Sequence, residues 1–158
     1  MLSESARMSS SAEARFRVQA SNSKPRSIKV IALDVPSEVV VRRLAEASWS
    51  HATFFTAHST EGSLSDLGGH TRDLLHEVYT GDLVVLVAAA GGTAQAASVI
   101  GEACSLKGVM TTALIVGASS VSDEALSRTL APLRPWSLMV VIASSDDYIE
   151  DMLTALRA

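Results

Sequence analysis

A single cysteine, Cys104, is present, so no disulfide can form within the chain and a cysteine-based zinc site has no support. A scaffold stapled by bridges is thereby excluded, and a reducing cytoplasm is the expected compartment. Positive charge is not in excess either: 13 Lys and Arg stand against 17 Asp and Glu, a formal charge of -4. Nothing in that balance draws the chain to nucleic acid or to an anionic membrane. Long apolar runs are also missing. Residues 83–90 are strand-sized, and residues 94–103 are interrupted by Gln, Ser, Gly and Glu, so no membrane partner is expected. Three signatures are absent as well: the lysine-bearing phosphate loop G-x-x-x-x-G-K-[ST], the full G-x-G-x-x-G, and the nucleophile elbow G-x-S-x-G. No catalytic residue is assigned.

What is present is an apolar chain of 158 residues, 47% hydrophobic, with Ala, Val and Leu dominant and only 4% aromatic. One domain of that size buries a sizeable core, and small apolar residues suit helices packed closely on a parallel sheet. Residues 1–26 differ, being rich in Ser and Arg with two acids. Organelle targeting is one reading of that bias; the expectation is a disordered tail that buries too little apolar surface to order itself.

The domain is expected over residues 27–158, where short β-branched runs alternate with helical patterns. Strands are predicted at residues 28–33 (IKVIAL), 52–57 (ATFFTA), 82–88 (DLVVLVA), 109–116 (VMTTALIV) and 137–143 (SLMVVIA). Between and after them, apolar residues recur three and four apart: Val40, Leu44 and Ala47; Leu74, Leu75, Val78 and Tyr79; Ala96, Ile100, Ala103 and Cys104. Leu126, Leu130 and Leu133 follow, then Ile149, Met152, Leu153 and Leu156. Pro36, Gly108 and Ser122 punctuate the helix ends. Residues 58–69, HSTEGSLSDLGG, read as a polar loop.

Right-handed crossovers then give a three-layer, Rossmann-like α/β domain, a five-stranded parallel sheet of order 2-1-3-4-5 with helices on both faces. Its crevice opens where the order reverses, at the carboxyl ends of the first and third strands. Those ends carry Asp34 to Ser37 and the loop Ala89-Ala90-Gly91-Gly92-Thr93, followed by Ala94 and Gln95. Two glycines can let backbone N–H groups close on a phosphate, and Thr93 can cap the helix or donate its hydroxyl. The same glycines also make a tight turn with no ligand. The candidate binding set is Asp34, Ser37, Gly91, Gly92, Thr93, Ala94, Gln95 and Ser119. A small-molecule or nucleotide site, with His58 or Ser119 contributing, is the rival to an interaction surface.

No metal is expected. His70 and His76 lie six apart, which is not a ligand spacing on a helix, and His51 and His58 fall elsewhere. Asp146, Asp147, Glu150 and Asp151 sit where the last helix begins, a place the helix dipole favours for acids.

The segment GDLVVLVAAAGGTAQAASVIGEACSLKGVMTTALIVGA resembles the centre of the tubulin/FtsZ GTPase domain. There, an Asp-led apolar strand enters a G-G-G-T-G-T-G loop and a helix beginning Ala-Ala. Ile28 to Ile31 is similar to the family's first strand, and Leu130 to Ile142 to its segment before an Asn-Asp pair. The departures are specific. The first loop carries Asp34, Val35 and Pro36 in place of glycines, and the signature keeps only Gly91, Gly92 and Thr93 before Ala94 and Gln95. A strand after the second is missing, and Ser144-Ser145-Asp146-Asp147 replaces the Asn-Asp pair. The sequence also ends where the family's central helix and second domain begin. The resemblance therefore implies a degenerate domain without GTPase activity of its own, working through an FtsZ-like protein or self-association. No cofactor is expected; GTP or GDP is the nucleotide if the shortened loop holds one.

Overall fold

A computed structural model of the protein describes residues 27–57, 63–143 and 146–156. The expected N-terminal tail and His58 lie outside them, as do Ser144 and Ser145. The elements run β1 (Ile28–Ala32), α1 (Val35–Ala45), β2 (Ala52–Thr56), β3 (Ser63–Asp66), β4 (Thr71–Asp73), α2 (Leu74–Tyr79) and β5 (Leu83–Ala89). Then come α3 (Ala97–Lys107), β6 (Met110–Val116), a 3-10 turn (Ala118–Ser120), α4 (Asp123–Leu133), a second 3-10 turn (Arg134–Trp136), β7 (Met139–Ile142) and α5 (Asp146–Ala155).

One mixed sheet of seven strands, in the order β4-β3-β2-β1-β5-β6-β7, forms the middle layer. This corrects the expected five-stranded, wholly parallel sheet in both count and order. β2, β1, β5, β6 and β7 pair in parallel, but β3 runs antiparallel to β2 and β4 antiparallel to β3. The added hairpin begins within the segment read as a loop, so a strand, β3, does follow the second. Its sequence, Ser-Leu-Ser-Asp, has one buried apolar residue, Leu64. It is held by pairing rather than by propensity: Phe55 faces Asp66 and Thr56 faces Ser65 across the ladder. The Asp66 carboxylate also accepts from the Gly68 and His70 N–H groups, closing the turn to β4.

Central strands β1 and β5 are buried on both faces, as parallel strands covered by helices must be. Ile31, Leu86, Ile100, Ile115 and Leu133 make one core layer with α2, α3 and α4. Val30, Val85, Leu114, Ile149 and Leu153 make the other with α1 and α5. Lys29, on β1, is buried and its ammonium lies 3.1 Å from the Glu77 carboxylate on α2.

Two helix faces differ from those read from spacing. In α1, Val41 and Leu44 are buried, while Ala47 lies past the helix end and is exposed. In α2, Leu74 and Val78 face the core, but Leu75 and Tyr79 face out, with the Lys107 ammonium 3.4 Å from the centre of the Tyr79 ring. A helix of six residues is too short for its periodicity to separate one face from the next. None of the helices described is long and apolar enough to cross a membrane.

Candidate functional site

At the carboxyl ends of β1 and β5, where the strand order reverses and a crevice is expected, two turns meet. The first begins with Asp34 in extended conformation, N-cap of α1. Its Oδ1 accepts from the Ser37 N–H at 2.8 Å, and the Ser37 hydroxyl lies 3.2 Å from the Asp34 N–H, a reciprocal capping box. Pro36 fits the first turn because its missing N–H would have no partner there. The other carboxylate oxygen, Oδ2, accepts from the Ala89 N–H of β5 at 2.9 Å. Asp34 therefore ties the two turns together across the mouth of the crevice.

The second turn follows β5. Ala90 N–H donates to the Val116 carbonyl, Gly92 N–H to the Ala89 carbonyl, and Gly91 N–H to the Thr129 hydroxyl at 2.8 Å. Thr129, fully buried on α4, returns its own proton toward the Gly92 carbonyl at 2.9 Å or the Ala125 carbonyl at 3.2 Å. Gly91 has a φ of +92°, which favours glycine. Gly92 is glycine for another reason: a Cβ there would lie 2.7 Å from Asp34 Oδ2 and 3.1 Å from the Ala89 carbonyl. Ala94 takes a φ of +48°, unusual for a residue with a side chain, and its methyl is buried.

The structure thus gathers Asp34, Ser37, Gly91 and Gly92, but Asp34 and Ser37 are spent on each other and on the Ala89 N–H, and the two glycine N–H groups on Thr129 and the Ala89 carbonyl. Thr93 and Gln95 are exposed, and Ser119 is an exposed member of the turn after β6. Val35 does not pack into the crevice; it is exposed on the first turn of α1. Two features escaped the sequence. Asp34 is read there as a binding residue although Asp-Val-Pro-Ser is a helix-start signal, and Thr129 carries no local sign of its role, since its partners lie 37 and 38 residues away.

Among the described residues no group of three His, Cys, Asp or Glu side chains is placed to hold a metal ion. Cys104 is buried, and that burial pushes its thiol pKa up, against a smaller lowering by the Thr111 hydroxyl. A thiol so placed packs as a small apolar side chain.

No protein-family model and no curated protein matches the sequence. Among solved structures, the chain is similar to the apo form of translation elongation factor SelB from Methanococcus maripaludis, with a TM-score of 0.50 and 9% sequence identity. The match covers 83% of this chain and 36% of SelB, so the chain spans about a third of that protein's length. At that identity the likeness is one of α/β fold.

Proposed function

We propose that this chain is a non-hydrolysing α/β module of the FtsZ/tubulin type, acting in the cytoplasm through contacts with other protein chains. An FtsZ-like polymer protein is the first partner to test, which would connect the module to cell division. The observation that supports the non-hydrolysing part is the Asp34 carboxylate, 2.9 Å from the Ala89 N–H and against Gly92, where a phosphate would have to sit.

Magnitudes favour exclusion. Two unit charges about 4 Å apart repel by about 4 kcal/mol at an effective dielectric constant of about 20. A helix N-terminus returns about 0.3–1 kcal/mol to a nearby anion, and about 2 kcal/mol at best. The Ala90, Gly91 and Gly92 N–H groups already have acceptors within the protein. A nucleotide or small-molecule site keeps one observation in its favour: Ala96, the N-cap of α3, makes no side-chain capping bond.

Thermal unfolding with and without millimolar GTP, GDP and magnesium tests the crevice. A ligand at a hundred times its dissociation constant adds about 2.7 kcal/mol, which raises the Tm by about 5 °C or more. No shift is expected, and a rise of that size with either nucleotide would replace this reading with nucleotide binding. Pull-down of an FtsZ-like protein at physiological salt tests the partner separately; its failure would sink that partner.

A further inference from the structure

The chain enters the fold at the end of the sheet opposite the crevice. Ser27, the first residue described, is held there by β5: its N–H donates to Asp82 Oδ2 at 2.8 Å, and its carbonyl accepts from the Asp82 and Leu83 N–H groups at 2.7 and 3.4 Å. Leu83 is also a wall of a cavity of about 430 Å³. That cavity lies between the first residues of β5, β6 and β7 and the last turn of α5, which runs back along the sheet; its other walls include Met110, Leu138, Met139, Met152 and Leu156. Leu138 is 75% exposed, Met139 51% and Met110 45%, so large apolar side chains stand uncovered where the chain comes in.

We infer that residues 14–20, Ala-Arg-Phe-Arg-Val-Gln-Ala, fold back across the amino end of the sheet and set Phe16 and Val18 into this cavity. The inference stands apart from the interaction reading above, since the crevice and the FtsZ-like partner take no part in it.

Reach, pattern and charge select this occupant. At a strand spacing of about 4.8 Å, β5, β6 and β7 stand about 5, 10 and 14 Å from β1. Residues 19–26 span up to about 26 Å when extended, so Val18 reaches the cavity with enough chain left to turn. In an extended segment Ala14, Phe16, Val18 and Ala20 share one side, and Arg15, Arg17 and Gln19 the other. The apolar pair can therefore enter while both arginines stay in water. Phe16 is the only aromatic residue among residues 1–26, and methionine walls adapt to a ring. The other segments outside the described residues do not compete: residues 58–62 and 144–145 are polar and follow β2 and β7 at the carboxyl ends, and residues 157–158 are Arg-Ala. Residues 1–26 hold five Lys and Arg against two Asp and Glu, whereas residues 27–158 hold eight against fifteen, so opposite charge draws the segment to the domain. Alone, the segment buries too little apolar surface to order itself; the cavity supplies what is missing. Tethering also presents it at about millimolar effective concentration, which the same segment of a second copy does not match at micromolar protein.

The methionines test this directly. Met110, Met139 and Met152 line the cavity, while the other two of the five, Met1 and Met8, precede the segment. In methyl NMR of the full chain, NOEs are expected from the Phe16 ring to at least one of the three cavity methyls, at the same relative intensity on dilution. Phe16→Ser should remove those NOEs and shift the cavity methyls, leaving Met1 unmoved. Unchanged amide shifts at Val30 and Leu86, in the central strands, would separate lost docking from lost folding. Absence of any such NOE overturns the proposal, as do cavity methyls indifferent to Phe16→Ser. NOEs that fade on dilution overturn it as well, by assigning the contact to a second copy. None of these results bears on the nucleotide test or the pull-down.

Discussion

Asp34 and Gly92 should behave as one energetic unit. Asp34→Ala removes the cap of α1, a loss of about 1 kcal/mol, and leaves the half-buried Ala89 N–H without its acceptor, about another 1–2 kcal/mol. Together they predict a destabilisation of about 2–3 kcal/mol. Gly92→Ala alone sets a methyl 2.7 Å from Oδ2, and the carboxylate cannot withdraw without giving up both bonds; we expect a cost of about 1–3 kcal/mol. In the Asp34→Ala background the nearest remaining obstacle is the Ala89 carbonyl at 3.1 Å, so Gly92→Ala should cost less there. The double-mutant cycle should therefore show a coupling of about 1 kcal/mol or more. Urea unfolding followed by Trp49 and Trp136 fluorescence gives each free energy by linear extrapolation. Additive costs, agreeing within about 0.5 kcal/mol, would mean that the carboxylate and the turn do not constrain one another and would refute the reasoning.

Three further outcomes follow from the packing. Gly101→Ala on α3 should destabilise despite alanine's higher helix propensity of about 1 kcal/mol, because the new methyl would overlap Trp136; a more stable variant in urea would show that Trp136 moves aside freely. Glu77→Ala leaves the buried Lys29 ammonium without its carboxylate and should cost about 3 kcal/mol, while Lys29→Met should cost clearly less; equal losses by the same assay would contradict the desolvation argument. The His70 N–H is the chief cause holding the Asp66 carboxyl below its ordinary 3.8, with smaller help from the His70 charge, the Gly68 N–H and Arg72 against some desolvation. Because that pKa is depressed, the β3–β4 turn keeps its stabilisation above 3.8 and loses it as pH falls through the lowered value. Gly68 and His70 amide shifts should titrate with a midpoint below 3.8, and a midpoint at or above it would deny the bond.

The central parallel strands were legible because each is a β-branched run whose two faces are both buried, so hydrophobicity alone marks it: Ile28–Ala32 and Leu83–Ala89 have almost no exposed position. β3 was not legible, since Ser63, Ser65 and Asp66 carry no apolar signal and the strand exists through its pairing with β2. Topology shows which two turns meet at the strand reversal, those after β1 and β5, without reference to side chains. Their contents depended on contacts far apart in sequence. Asp34 meets Ala89 across 55 residues and Thr129 meets Gly91 across 38, and no local pattern records either. Leu75 marks a related limit: hydrophobicity predicts burial, and an exposed apolar residue looks like core until the fold is known.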